Sequence, residues 1–134
     1  MKKSTILTFA SFILAVFGLF SWVSQVSAAG MDGCAKECGA CQTSCEKATT
    51  YLKSKGASAK ATAATNTLAD CIDLCRASQS LLQRDSKLHP QVCKVCAQAC
   101  NECAKACETL HDPKLKDCIE ECKKCADSCT HMSS

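Results

Sequence analysis

The spacing of its cysteines constrains this chain more than any other feature. Cys34, Cys38, Cys41 and Cys45 form one cluster, Cys71 and Cys75 a second, Cys93, Cys96, Cys100, Cys103 and Cys107 a third, and Cys118, Cys122, Cys125 and Cys129 a fourth. Every step inside a cluster is three or four residues. Such steps keep side chains on one face of an α-helix, whereas a strand needs steps of two, and sustained alternation of three and four is the inward seam of a bundle helix. The pattern C-x3-C-x2-C-x3-C recurs in Cys34 to Cys45, Cys96 to Cys107 and Cys118 to Cys129. A reduced copy follows Cys71 and Cys75, with Ser78 and Leu82 where the other two cysteines would stand. Four related segments predict an all-α fold, an antiparallel four-helix bundle with a Cys-lined core.

Composition explains why cysteine must form that core. Lys2 and Lys3, the apolar run from Ile6 to Val23 and the small residues Val26-Ser27-Ala28 read as a secretory signal peptide over residues 1–28, cut after Ala28. The other reading of this run is a retained membrane anchor. Residues 29–134 then form one domain. It holds all 15 cysteines but only eight Leu, two Ile and two Val, and Tyr51 is its sole aromatic residue. So few large aliphatics cannot fill a core of this size, and a free cysteine packs as a small hydrophobe. Without Lys2 and Lys3 the charge is nearly balanced, at 14 basic against 13 acidic residues. That balance argues against a nucleic-acid partner and against a polybasic membrane surface.

Punctuation agrees with four helices. Asp32 is expected to cap the first, Gly56 to end it and Ser58 to cap the second. Arg84-Asp85-Ser86 and Pro90 mark the next break, with Ser86 and His89 both open as the cap, and Asp112-Pro113 opens the fourth helix. Antiparallel packing then gathers Leu52, Leu68, Leu110 and Leu115 at one end as an apolar plug. Met31, Leu82, His89, His131 and Met132 fall at the other end, a candidate mouth.

Rows of thiolates are soft ligands, suited to Cu(I), zinc or iron–sulfur clusters. Cβ atoms at i and i+4 lie ~5 to 6 Å apart on a helix, and two bonds of roughly 2.3 Å in line span about 4.6 Å, so a two-coordinate ion fits one C-x3-C step. Zinc needs four ligands, which one helix cannot supply alone. A buried excess of charge is costly, and a monovalent ion at about one per sulfur cancels the thiolates. Zinc held by four unshared thiolates leaves a net negative charge, and the cysteine spacing of bacterial ferredoxins is absent. The chemistry implied is therefore multiple Cu(I) ions held by the fifteen cysteines, with no catalytic residues.

Two other readings stand beside this one. An exported Cys-rich chain commonly forms a disulfide framework, which here would make a stapled interaction module without stored metal. Fifteen is odd, however, and same-helix Cβ atoms lie further apart than a disulfide allows. C-x2-C redox pairs such as Cys93 and Cys96 lack a surrounding βαβ pattern. His89, four residues before Cys93, is either an accessory metal ligand or a helix-start residue facing water. Met132 and Met31 are either thioether ligands or parts of loose termini, His111 reads as a solvated loop residue, and His131 lies one position off the seam.

The stretch CKVCAQACNECAKACE from Cys93 to Glu108, with the two further C-x3-C-x2-C-x3-C segments, resembles the bacterial copper storage proteins. The resemblance covers residues 29–134. It implies a four-helix bundle binding many Cu(I) ions along its core, commonly a homotetramer, with His or Met near the open end. Exported members can carry twin-arginine signals. This chain has Lys2-Lys3 and no arginine pair, which implies general secretion to the periplasm or the outside, with loading after export.

Overall fold

The structure is a computed structural model that describes residues 14–134, with side chains from Gly30 onward. The first part of the apolar run of the expected signal peptide, including Ile6, Phe9 and Phe12, lies outside the described residues. Among the described residues no helix is long and apolar enough to cross a membrane. Residues 31–134 form one compact unit.

Four α-helices make up the fold: α1 (Leu14–Lys55), α2 (Ala59–Gln83), α3 (His89–Glu108) and α4 (Lys116–Met132), the last preceded by a 3-10 turn over Pro113–Leu115. Asp32 does not cap α1 as expected, because the helix is already under way there. The segment from Leu14 to Asp32 contains no proline and several alanines, so nothing in it forces a break. The other end of α1 is as expected. Gly56 takes φ 92°, a conformation open to glycine without steric penalty, and Ser58 then accepts a hydrogen bond from the Ala61 amide at 3.1 Å to cap α2.

Asp85 closes α2 with φ 49°. The Ser86 and Asp85 amides donate back to the Leu81 and Leu82 carbonyls at 3.0 and 3.2 Å, which satisfies the helix end. Ser86 also opens the next turn. Its carbonyl accepts from the His89 amide at 3.0 Å, and Pro90 occupies the first turn of α3, where no amide proton is needed. Asp112 accepts from the Lys114 amide at 3.0 Å and so starts the turn into α4.

Asp112 further ties the end of α1 to the α3–α4 connection. Its Oδ2 accepts from the Tyr51 hydroxyl at 2.8 Å and from Lys55 Nζ at 3.1 Å. These partners, with the Lys114 amide first among them, hold the Asp112 carboxyl below the usual carboxylate range.

The core consists of the fifteen cysteines with leucines and alanines at their flanks. Leu52, Leu68 and Leu115 are buried and Leu110 packs partly against the same core, as expected of the closed end. Ala97, Ala104 and Ala126 fill narrow spaces beside the cysteines. Charged side chains stay outside, where Arg76 meets Glu46 at 3.6 Å between α1 and α2 and Lys123 meets Glu108 at 2.6 Å between α3 and α4. Exposed pairs of this kind add little stability.

Candidate metal centre

All fifteen cysteines are buried, and all are free thiols. Helical periodicity brings each to the bundle axis, and antiparallel packing then interleaves the four rows. Along α1 and α4, Cys34 and Cys38 approach Cys129 at 3.8 and 3.6 Å, Cys41 approaches Cys122 at 3.7 Å, and Cys45 approaches Cys118 at 3.6 Å. Along α2 and α3, Cys71 lies 3.5 Å from Cys100 and Cys75 lies 3.8 Å from Cys96. Diagonal contacts join the two pairs of helices, with Cys41 to Cys100 at 4.0 Å and Cys75 to Cys125 at 3.8 Å. The sulfurs therefore form one connected file rather than separate sites.

Within a helix the i,i+4 sulfurs of Cys41–Cys45, Cys71–Cys75 and Cys96–Cys100 stand 3.9 Å apart. This is closer than the in-line span of about 4.6 Å expected from the sequence. Two bonds of roughly 2.3 Å subtending the trigonal angle place sulfurs about 4.0 Å apart, and the tetrahedral angle about 3.8 Å. The array as it stands therefore matches three- or four-sulfur coordination. A two-coordinate ion would spread each pair by about 0.7 Å, a rotamer adjustment.

Four-sulfur groups occur throughout. Cys38, Cys96, Cys125 and Cys129 form one, Cys75, Cys96, Cys100 and Cys125 another, and Cys45, Cys103, Cys118 and Cys122 a third, each with all sulfurs within 4.8 Å of one another. Cys41, Cys71, Cys75 and Cys100 make a fourth, and Cys41, Cys45, Cys71 and Cys122 a fifth. Neighbouring helices thus supply the four ligands that one helix could not. Because most members belong to two groups, the groups cannot all be filled as independent tetrathiolate sites.

The thiols also set one another's protonation. Hydrogen bonds from Cys129, Cys38 and Cys93 hold the Cys34 thiol well below its ordinary range. A hydrogen bond with Cys129 pulls Cys93 down, but Cys34 and burial prevail and push it up to about 12. Cys107, at the far end, is raised by Cys103, Cys118 and burial. Emptying the file of protons without a replacing cation is opposed by desolvation.

The weaker candidates from the sequence sort by position. His89 is half-buried, and its Nδ1 lies 2.8 Å from the Ser86 carbonyl oxygen. Nδ1 must carry the proton in that contact, so Nε2 is the nitrogen left to accept a metal. Met31 and Met132 are half-buried and pack against the core, whereas His111 and His131 are exposed. The sequence alone did not show that Ser78 is completely buried with its hydroxyl unpartnered. The available signal was its place in the broken cysteine repeat.

Residues 21–134 match the sequence profile of the family described as copper storage protein. The chain belongs to the copper storage protein family. Solved structures share the fold. The Cu(I)-bound copper storage protein BsCsp3 superposes with a TM-score of 0.74 at 22% identity, covering 78% of this chain and 99% of that one. A protein from Nitrosospira multiformis gives a TM-score of 0.71 at 27% identity, over 78% of this chain and 95% of the other. The apo form of copper storage protein 3 from Bacillus subtilis gives 0.54 at 22% identity, over 83% and 99% of the two chains. No curated protein matches the sequence. Membership of a storage family, with buried cysteine clusters able to hold metal, fits copper binding.

Proposed function

We propose that this chain is an exported copper store that binds many Cu(I) ions through Cys34, Cys38, Cys41, Cys45, Cys71, Cys75, Cys93, Cys96, Cys100, Cys103, Cys107, Cys118, Cys122, Cys125 and Cys129. The observation that carries the reading is the row of fifteen buried thiols along the bundle axis, twelve of which have a sulfur neighbour at 3.5 to 4.0 Å. Geometry alone would accept zinc as well as copper, and charge separates them. A divalent ion bound by four thiolates cancels only half their charge, while about one monovalent ion per sulfur cancels all of it in a medium that penalises excess charge. Each thiol releases its proton to solvent as sulfur bonds Cu(I), so loading exchanges protons for ions along the file. Sulfurs in simultaneous contact let an ion pass between neighbours without ever being bare. His89, through Nε2, is the accessory ligand at the end that carries the chain termini.

The reading includes removal of residues 1–28 by general secretion, so that the domain of residues 29–134 loads outside the cytoplasm, in the periplasm or beyond. It also includes assembly as a homotetramer. The mass of the exported protein tests the first, expected to begin at Ala29, and light scattering tests the second. The competing reading, a disulfide-stapled interaction module, requires few free thiols after isolation without reductant. Anaerobic titration with Cu(I) against a competing chelator tests the function itself. Saturation near one ion per cysteine is expected, and saturation at three or four ions would refute it in favour of tetrathiolate sites.

A further inference from the structure

Ser78 breaks two rules of this molecule at once. It is fully buried, yet among the described residues its Oγ is the one buried side-chain oxygen or nitrogen without a hydrogen-bond partner. A helix offers a hydroxyl a ready partner in the carbonyl four residues back, and Thr43, Thr49, Thr50, Thr65 and Thr130 all use it, at 2.8 to 3.1 Å. Ser78 does not. A buried polar group left unpaired destabilises a fold, so its retention at this position calls for a partner that arrives later.

Register identifies that partner. Cys75, one turn earlier on α2, touches Cys96 and Cys125. One step further toward the end bearing the termini, α1 contributes Cys34, α3 contributes Cys93 and α4 contributes Cys129, with Cys34 and Cys129 3.8 Å apart. In the same stretch of α2, Gln79 is pressed against Gly39 of α1, where an added Cβ would come within 2.6 Å of Gln79 Nε2. Register therefore puts Ser78 level with Cys34, Cys93 and Cys129, at the third position of the repeat, where the other copies carry a cysteine. Consistently, the group Cys38, Cys96, Cys125 and Cys129 draws nothing from α2.

Resting on the storage reading above, we propose that Ser78 makes this last layer a three-thiolate exchange site, its hydroxyl donating a hydrogen bond to a thiolate only once Cu(I) has displaced the thiol protons. In the apoprotein the neighbouring sulfurs carry or share protons and the hydroxyl is idle. In the loaded protein they are anionic acceptors, and a neutral donor steadies the charge without adding a fourth metal–sulfur bond. Ions in this layer are held by fewer sulfurs than those deeper in the file, so they leave first. Ser78 is a positioning residue in this scheme and bonds no metal.

Ser78→Ala separates this role from simple packing, because the two forms of the protein should respond in opposite directions. The Ser78→Ala apoprotein should melt several degrees higher than the parent, having lost an unpaired buried hydroxyl. The loaded variant should release its first ions to a chelator several-fold faster at unchanged total capacity. Equal shifts of the same sign in both forms, or unchanged release, would overturn the proposal. Ser78→Cys provides an independent reading by supplying the missing sulfur. It should take up about one ion more than the parent and slow the first phase of release, and unchanged capacity would place residue 78 away from the file. If the parent itself failed to load near one ion per cysteine, the storage reading would fall. A fully loading parent with an indistinguishable Ser78→Ala variant would remove this inference alone.

Discussion

Leu68→Ala probes whether the leucine end of the bundle is structural and separate from the thiol file. Leu68 is completely buried and lies one turn before Cys71 on the same seam of α2. Truncation removes three carbons, worth roughly 2 kcal/mol at about 0.8 kcal/mol per methylene, and the residual cavity brings the loss to about 3 kcal/mol. In a domain of this size each kcal/mol moves Tm by about 4 to 8 °C, so the reduced apoprotein should melt roughly 12 to 24 °C lower. No ligand is lost, so anaerobic titration should still reach one Cu(I) per cysteine. Because the ions bind the folded state, the loaded variant should regain much of the lost thermal stability. Thermal circular dichroism of the apo and loaded forms, with the titration, measures all three. A fall in Tm below about 3 °C would mean that Leu68 is not packed as described. A large loss of capacity would mean that plug and file are not independent. Faster uptake in Leu68→Ala, exceeding any change caused by altering His89, would put the mouth at the wrong end.

Replacing both Cys100 and Cys103 by serine should lower capacity by about two ions on the one-per-sulfur stoichiometry, read by the same titration. Loss of most of the capacity would instead indicate a cluster that forms only as a whole. His89→Ala should slow uptake or release in stopped-flow exchange with a chelator and leave capacity unchanged, since all fifteen thiols remain, and parental kinetics would exclude His89 from the route. Asp112→Asn should lower the urea midpoint at neutral pH, because the Lys55 and Tyr51 contacts at 3.1 and 2.8 Å favour the carboxylate. The native carboxyl titrates below its unfolded value near 3.9, so its contribution is present above that pH and is lost as pH falls through the native value. The difference between parent and variant should vanish in strong acid, and an undiminished difference there would contradict the assignment.

Sequence by itself determined the helices, their number and the face each turns inward, because three- and four-residue steps of a single residue type leave a helix no other buried face. It also determined two of the three breaks, since Gly56 with Ser58 and Asp112-Pro113 act through local backbone chemistry that needs no tertiary partner. The expected cap at Asp32 shows the limit of such signals. A capping residue marks a start only where the preceding chain does not already continue the helix, and here α1 begins at Leu14. Which sulfurs meet was decided only by tertiary structure. Periodicity places Cys41 on a seam, but only packing brings it within 4.0 Å of Cys45, Cys71, Cys100 and Cys122 from all four helices. Packing adds shared four-sulfur groups to the pairs that periodicity places along single helices, because distances between sulfurs of different helices depend on how closely the helices approach. Ser78 follows the same division. Its place in the repeat was legible as a missing cysteine, but a hydroxyl's lack of a partner is a property of everything around it, which no local pattern encodes.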